Sequence, residues 1–400
     1  MQYREVPKTG EKLSALGFGA MRMPMLKDGK TIDERRAISQ IRMCIDKGVN
    51  YVDTAWPYHG GQSEPLVAKA LADGYREKVN LATKLPVWLV SAREDMDSYL
   101  NQQLERLHTD QIDYYLLHAL NAKSWKKMHE LGVLEFLNSA IADGRIKYAG
   151  FSFHGQLPAF KQIVDAYPWI FCQIQYNYLD QQHQAGTAGL EYAAERDIAV
   201  IVMEPLRGGN LAKPSPPPPV ATILKKAKMC RPPVEWALKW IWDEPDVVML
   251  LSGMNEEEHI EQNIAIADDS PPNCLTDDER NLLDEVAAKY REIMKVPCTG
   301  CGYCLPCPHG VAIPEAFDTY NGMHLFGNET EAKMVYAMRM SGVLNSTEPS
   351  FASRCVNCGE CLPKCPQDIA IPNALEDVAA ELEDADLPAR IEQLRKRVEG

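Results

Sequence analysis

Over the first 290 residues, short and dense apolar runs alternate with longer segments whose apolar residues recur every three or four positions. The runs LSALGFG (13–19), VNYVDT (49–54), VNLATK (79–84), IDYYLLH (112–118), IKYAGFS (146–152), IFCQIQY (170–176), IAVIVME (198–204) and VVMLLSG (247–253) are strand-length. Their near-continuous apolar character predicts strands covered on both faces, as in a parallel sheet. Between them, segments such as EDMDSYLNQQLERLH (94–108) and GLEYAAERD (189–197) have helical spacing. Eight strands in alternation with helices predict an α/β fold, a (β/α)8 TIM barrel over 1–290. An open doubly wound sheet is the alternative, but it calls for a glycine-rich phosphate turn, and GFG (17–19) is a lone Gly-x-Gly.

Punctuation along the chain refines this picture. KPSPPPP (213–219), between the seventh strand and its helix, predicts an extended polyproline-like loop at the top of the barrel. A helix over 276–294 closes the barrel region, and Pro297 marks a boundary. Beyond it the composition turns to Cys, Pro and Gly with short helices, a small cofactor-dependent α-rich domain over 297–375. Residues 376–400 form a charged helical tail divided by Pro388.

Charge and cysteine usage then narrow the class. The net charge of −14 argues against nucleic acid or an anionic membrane surface as the main partner, and suits a basic electron carrier. The N-terminal residues are charged where a signal peptide needs an apolar core, and no apolar run is long enough for a membrane span. Eight of the twelve cysteines sit in two clusters, which predicts a cytoplasmic chain with a metal site in place of a disulfide framework.

The second cluster, Cys355-x2-Cys358-x2-Cys361-x3-Cys365-Pro, has the spacing of bacterial ferredoxin [4Fe–4S] motifs. The first, Cys298-x2-Cys301-x2-Cys304-x2-Cys307-Pro, is one residue shorter before its last cysteine. The fourth cysteine of the second cluster is expected to open a helix with proline at its first position. The resemblance to two-cluster ferredoxins implies crossed ligation. One cluster would take Cys298, Cys301, Cys304 and Cys365, and the other Cys355, Cys358, Cys361 and Cys307. CPHGVAIPEAF echoes CPQDIAIPNAL, an internal two-fold repeat, and the 47 residues between Cys307 and Cys355 predict added helices. Two zinc sites are the alternative, although zinc favours two separated Cys-x2-Cys halves.

In a barrel of this kind the reactive side chains lie at the carboxyl ends of the strands. Those ends carry Asp53 with Tyr58 after it, Lys84, His118, Ser152, Gln173 with Asn177, Glu204 and Ser252. A phenol has a pKa of about 10 and becomes a useful acid near neutrality only beside a cation. Lys84, kept charged by Asp53, can be that cation, and His118 can orient a substrate oxygen. The set suits proton donation to a carbonyl that receives a hydride.

The stretches GVNYVDTAWPYHGGQSE, LATKLP, DYYLLHAL, GRIKYAGFSFHG, CQIQYNYLD, VIVMEPLRGG and LLSGMNEEEHIEQN resemble, in order, those of an aldo/keto reductase. That resemblance implies that Asp53, Tyr58, Lys84 and His118 form the catalytic tetrad. It implies cofactor contacts from Gly19, Met21, Ser152, Gln173, Met203, Leu206, Gly208, Ser252, Gly253 and Asn263. Three positions depart from the family's NADPH pattern. Phe153 stands where an asparagine should follow Ser152, Met203 where an aromatic ring should stack, and Glu256 to Glu258 where basic residues should grip the 2′-phosphate.

Together these features predict an oxidoreductase acting on a small carbonyl or alcohol substrate. It would carry two [4Fe–4S] clusters that relay electrons, and NAD(P)H or a flavin such as FMN in the barrel. An electron-carrier protein, a ferredoxin or flavodoxin, would be a partner. The alternatives are a redox-sensing or regulatory protein whose clusters report oxidation, and a reductase whose clusters are structural.

Overall fold

The computed structural model describes residues 1–28, 31–344 and 347–399, with side chains to residue 396. The chain forms two compact units. One comprises Met1–Leu206 and Arg231–Arg280, the other Arg207–Cys230 and Asn281–Gly400.

The first unit opens with an antiparallel hairpin, β1 (Tyr3–Glu5) and β2 (Lys12–Ser14), pairing Tyr3 with Ser14. Eight parallel strands follow: β3 (Leu16–Gly19), β4 (Tyr51–Asp53), β5 (Asn80–Leu85), β6 (Ile112–Leu120), β7 (Ile146–Phe153), β8 (Phe171–Gln175), β9 (Ala199–Met203) and β10 (Val247–Ser252). Each pairs with the next and β10 returns to β3, which closes the barrel. All eight sequence-predicted strands are present. The first is divided, because LSALGFG supplies the end of β2 and then, after Ala15, the whole of β3. The hairpin has a job that its polar sequence conceals. Val6 and Leu13 pack with Tyr51, Tyr114, Phe171, Ala199, Ile201 and Met249 in the barrel interior, so the hairpin plugs one end. Buried Arg4 fastens it by donating to the carbonyls of Trp242, Glu244 and Val247.

Inside the barrel, bulk is balanced by its absence. Tyr114 meets Tyr51 and Phe171 edge-on at 5.2 and 4.9 Å. The Phe171 ring fills the face of Gly150, where a Cβ would come within 2.5 Å of it. A side chain at 150 would therefore expel an aromatic from a close-packed core.

In the second unit, helices Ile313–Phe326, Glu329–Met340 and Ile371–Leu382 enclose a core of Phe317, Tyr320, Met323, Tyr336, Met340, Leu375 and Val378. The tail is helical in two pieces, with Pro388 in the first turn of Leu387–Glu399. Two expectations are corrected here. Pro366 does not begin a helix. It lies in a turn, the helix starts at Ile371, and Pro372 takes the early-helix position where a missing N–H costs nothing. The proline tract is extended only in part, since Pro218 and Pro219 form the first turn of the helix Pro218–Leu224.

Candidate active site and cluster domain

Three adjacent strands deliver three of the site's side chains: Asp53 ends β4, Lys84 lies near the end of β5, and His118 near the end of β6. Tyr58 opens a tight turn, Tyr58–Gly61, just beyond β4. The turn is pinned by His59, whose Nε2 accepts from the Met23 N–H at 3.1 Å. Burial lowers the His59 pKa, which keeps that nitrogen an acceptor.

Lys84 is the hub. Its Nζ donates to Asp53 Oδ2 at 2.6 Å, to the Thr54 carbonyl at 2.8 Å and to the Tyr58 hydroxyl at 3.4 Å. An ammonium has three protons, and each is directed. Lys84 is 1% exposed and Asp53 3%. Burial pulls the Lys84 pKa down and pushes that of Asp53 up, while the attraction between them opposes both shifts. His118 is also buried, its ring 6.0 Å from that of Tyr58 and 5.1 Å from Trp88. Burial, and then the charge of Lys84, hold its pKa well below the usual histidine range, so it is neutral at neutral pH. Among the described residues its Nδ1 and Asp53 Oδ1 have no hydrogen-bond partner.

Behind this set lies a support that the sequence reading missed. The carboxylate of Glu64, fully buried, accepts from Thr83 and Gln103 at 2.7 Å each and from Arg106 at 3.3 Å. Gln103 also donates to the Lys84 carbonyl at 3.0 Å. The Arg106 guanidinium stacks 3.4 Å over Trp56, on the loop between Asp53 and Tyr58. The network thus holds both the backbone of Lys84 and the loop carrying Tyr58. A carboxylate eleven residues after a buried aspartate, with no period linking them, gives little sequence signal of this.

In the second unit the eight cysteines stand in two sets. Cys298, Cys301, Cys304 and Cys365 line a partly open cavity of about 310 Å³, walled by Ile313, Phe317 and Ile371. Cys307, Cys355, Cys358 and Cys361 line another of about 370 Å³, whose edge Cys304 also touches. Electrostatic neighbours divide the same way: Cys304 feels Cys301, Cys298 and Cys365, and Cys361 feels Cys355, Cys358 and Cys307. Among the described residues no three Cys, His, Asp or Glu groups meet at the spacing of a single metal ion. Four thiols around a cavity fit a polynuclear group, whose own metal atoms separate its ligands. Each motif is entered over a buried anchor. Asn321 accepts from the N–H groups of Lys295 and Val296 and donates to the Val296 carbonyl. The Tyr336 hydroxyl accepts from the Ala352 N–H and donates to Glu383.

Residues 15–288 match the Aldo/keto reductase family. The chain belongs to that family. Residues 297–370 match the 4Fe-4S dicluster domain, so a ferredoxin-type iron–sulfur domain follows the reductase barrel. An uncharacterized oxidoreductase of Schizosaccharomyces pombe is 26% identical over 65% of this chain and 84% of its own length. The L-galactose dehydrogenase of Arabidopsis thaliana is 25% identical over 66% and 88%. Among solved structures, the aldo-keto reductase AKR11C1 of Bacillus halodurans in its holo form shares the fold. Its TM-score is 0.60 at 23% identity, covering 72% of this chain and 96% of that one. Among the described residues no helix is long and apolar enough to cross a membrane.

The residues expected to contact a cofactor are brought together only in part. Ser152 and Gln173 sit side by side on β7 and β8, and the Gln173 carbonyl oxygen has no partner among the described residues. The Ser152 hydroxyl accepts from the Ala119 N–H at 2.7 Å, so it also fixes the backbone beside His118. Phe153 is buried and packs on Phe160 at 5.1 Å, part of the core and offering no polar group. Met203 pairs with Gln175 and is half-buried. At the barrel's closure, Asn263 donates to Ser252 at 3.0 Å. A Cβ at Gly253 would stand 3.2 Å from the Arg22 Cβ and 3.4 Å from the Gly19 carbonyl oxygen, so glycine lets the loops after β3 and β10 meet. Met21 follows on the first of these loops and Leu206 follows β9. Gly208 belongs to the second unit, where it is exposed. Of the acidic run, Glu257 accepts from Arg36 at 2.6 and 3.0 Å and Glu256 pairs with the same guanidinium. Those bonds hold the Glu257 pKa at about 2. The Glu257 carboxylate stays ionised, and it shares the guanidinium of Arg36 with Glu256.

Proposed function

We propose that the chain is a cytoplasmic oxidoreductase that reduces a small carbonyl compound, or oxidises the matching alcohol, with Tyr58 as the proton donor. The observation that carries this reading is the three-way donation by Lys84 to Asp53, Thr54 and Tyr58. Since Lys84 can only donate, the phenol oxygen accepts from it and its own hydrogen is directed away from Lys84. The adjacent positive charge favours loss of that proton in the transition state, when the substrate oxygen gains negative charge. Neutral His118 donates a hydrogen bond to the same oxygen and fixes its position. Asp53 and Glu64 oppose the loss of charge that burial would otherwise impose on Lys84.

Either NADH or reduced FMN bound at the ends of the strands would supply the hydride, and with FMN the iron–sulfur domain would exchange the flavin's electrons one at a time. The polar groups at Ser152, Gln173 and Asn263 support a polar ring there, and the carboxylates of Glu256 and Glu257 argue against a 2′-phosphate. The two thiol sets support two [4Fe–4S] clusters with crossed ligation, relaying electrons to or from a ferredoxin or flavodoxin. The test is a spectrum of the anaerobically purified protein before and after reduction, with bound nucleotide analysed in the same sample. Absence of both flavin and iron–sulfur absorption would sink the relay reading.

A further inference from the structure

Arg207 is a buried arginine for which the barrel chemistry has no use. It is 2% exposed, and its backbone takes the left-handed conformation, with φ of 47°, followed by Gly208 at 68° and Gly209 at 95°. For a side-chain-bearing residue that conformation costs on the order of 1 kcal/mol, and such strain is retained where the placement matters. Its Nη2 donates to the Pro297 carbonyl at 3.1 Å and lies 4.0 Å from Met294 Sδ. Pro297 directly precedes Cys298, whose own N–H is bound to the Val296 carbonyl at 2.8 Å. The guanidinium therefore grips the peptide that leads into the first cysteine of the Cys298, Cys301, Cys304 and Cys365 set. The buried guanidinium is thus bonded to the residue next to a cluster ligand. A guanidinium cannot give up its proton, so this is a fixed positive charge in a low-dielectric setting.

We propose that Arg207 raises the reduction potential of the cluster held by Cys298, Cys301, Cys304 and Cys365. The proposal rests on the ligand assignment made above. A cluster taking up one electron gains one negative charge, with no bond made or broken, and a nearby buried cation stabilises that state over the oxidised one. Net charge and local hydrogen bonding are the protein's main means of setting such potentials. Arg207 would then act as a positioning and tuning residue that touches no substrate.

The test is an anaerobic redox titration of the full chain, followed by electron paramagnetic resonance, on wild type, Arg207→Gln and Arg207→Lys. In Arg207→Gln the reduced-to-oxidised ratio of this cluster at the wild-type midpoint should fall about tenfold, a shift of 59 mV for a one-electron couple. The other cluster should move far less, and Arg207→Lys should stay near wild type. An unmoved midpoint in an iron-replete Arg207→Gln protein would overturn the proposal, as would an equal shift in Arg207→Lys. If Arg207→Gln loses its iron, the lysine variant decides. Full iron with the wild-type midpoint supports the proposal, whereas loss of iron there too assigns Arg207 to holding the loop. Wild-type protein without any [4Fe–4S] signal would instead refute the reading of the domain, and the inference with it.

Discussion

The ammonium of Lys84 stands 3.4 Å from the phenol oxygen of Tyr58 and, having no lone pair, can only donate to it. The direction of that bond agrees with the proposed division of labour in the barrel mouth. On that proposal Lys84 carries charge and Tyr58 the mobile proton, while Asp53 at 2.6 Å opposes neutralisation of the buried ammonium.

Tyr58→Phe removes the proton and leaves the ring. Carbonyl reduction should fall at least about 100-fold, the usual worth of a positioned acid. Circular dichroism and iron content should be unchanged. Near-normal turnover would exclude Tyr58 as the acid.

His118 gives a pH dependence of definite sign. Its folded pKa lies well below the unfolded value of about 6.5, so in mild acid the unfolded chain binds a proton that the native chain does not. Its contribution to stability is complete above that pH and is lost as pH falls below it, by up to about 1.4 kcal/mol per pH unit. Urea unfolding of wild type and His118→Phe at pH 7 and pH 5 should show a smaller acid loss in the variant. Equal losses would mean that His118 is not held neutral.

Much of this was legible in the sequence, for identifiable reasons. The barrel strands stand out because a sheet buried on both faces writes continuous apolar runs, and the placing of Asp53, Lys84 and His118 because strand ends are where a barrel exposes side chains. The hairpin was missed since β1 and β2 are three residues each and alternate with charge. Glu64, Gln103 and His59 were missed because their roles are tertiary: a carboxylate on one helix, an amide on another and a histidine in a turn meet only after folding. The helix expected at Pro366 fails because the chain turns there before the helix begins at Ile371.

Removing Glu64 should loosen the site from behind. Glu64→Ala leaves Thr83, Gln103 and Arg106 without their shared acceptor in a fully buried place, which costs on the order of 3 kcal/mol. Turnover should fall along with thermal stability, although no atom of Glu64 touches substrate. Unchanged thermal unfolding would show that the network is not holding β5.

The ligand pairing has a direct test in Cys365→Ser. Cys365 lines the cavity of Cys298, Cys301 and Cys304 although it closes the other motif in sequence. The variant should lose or convert that cluster, with iron content reduced and its paramagnetic signal altered, while the signal of the Cys307, Cys355, Cys358 and Cys361 set persists. Loss confined to the latter set would show that each motif ligates its own cluster.

Cofactor choice is the most consequential expectation. Phe153 is committed to the core against Phe160, Met203 offers no aromatic face, and Glu256 and Glu257 present two carboxylates bound to the single guanidinium of Arg36. Each change weakens a different part of an NADPH molecule: the carboxamide, the ring face and the 2′-phosphate. A dianionic phosphate beside an ionised carboxylate is repelled, and Glu257, with its pKa near 2, stays ionised throughout the working pH range. NADPH should therefore bind at least about tenfold more weakly than NADH or FMN, about 1.4 kcal/mol. Of those two, FMN is favoured, because flavin alone exchanges both single electrons and hydride equivalents and so suits a barrel joined to a dicluster domain. Calorimetric titration of the purified protein with NADPH, NADH and FMN separates the three, and Glu256→Gln with Glu257→Gln should narrow the gap for NADPH. Tight NADPH binding by the wild type, with substrate reduced at the same rate after the clusters are removed, would overturn both the pocket argument and the electron relay.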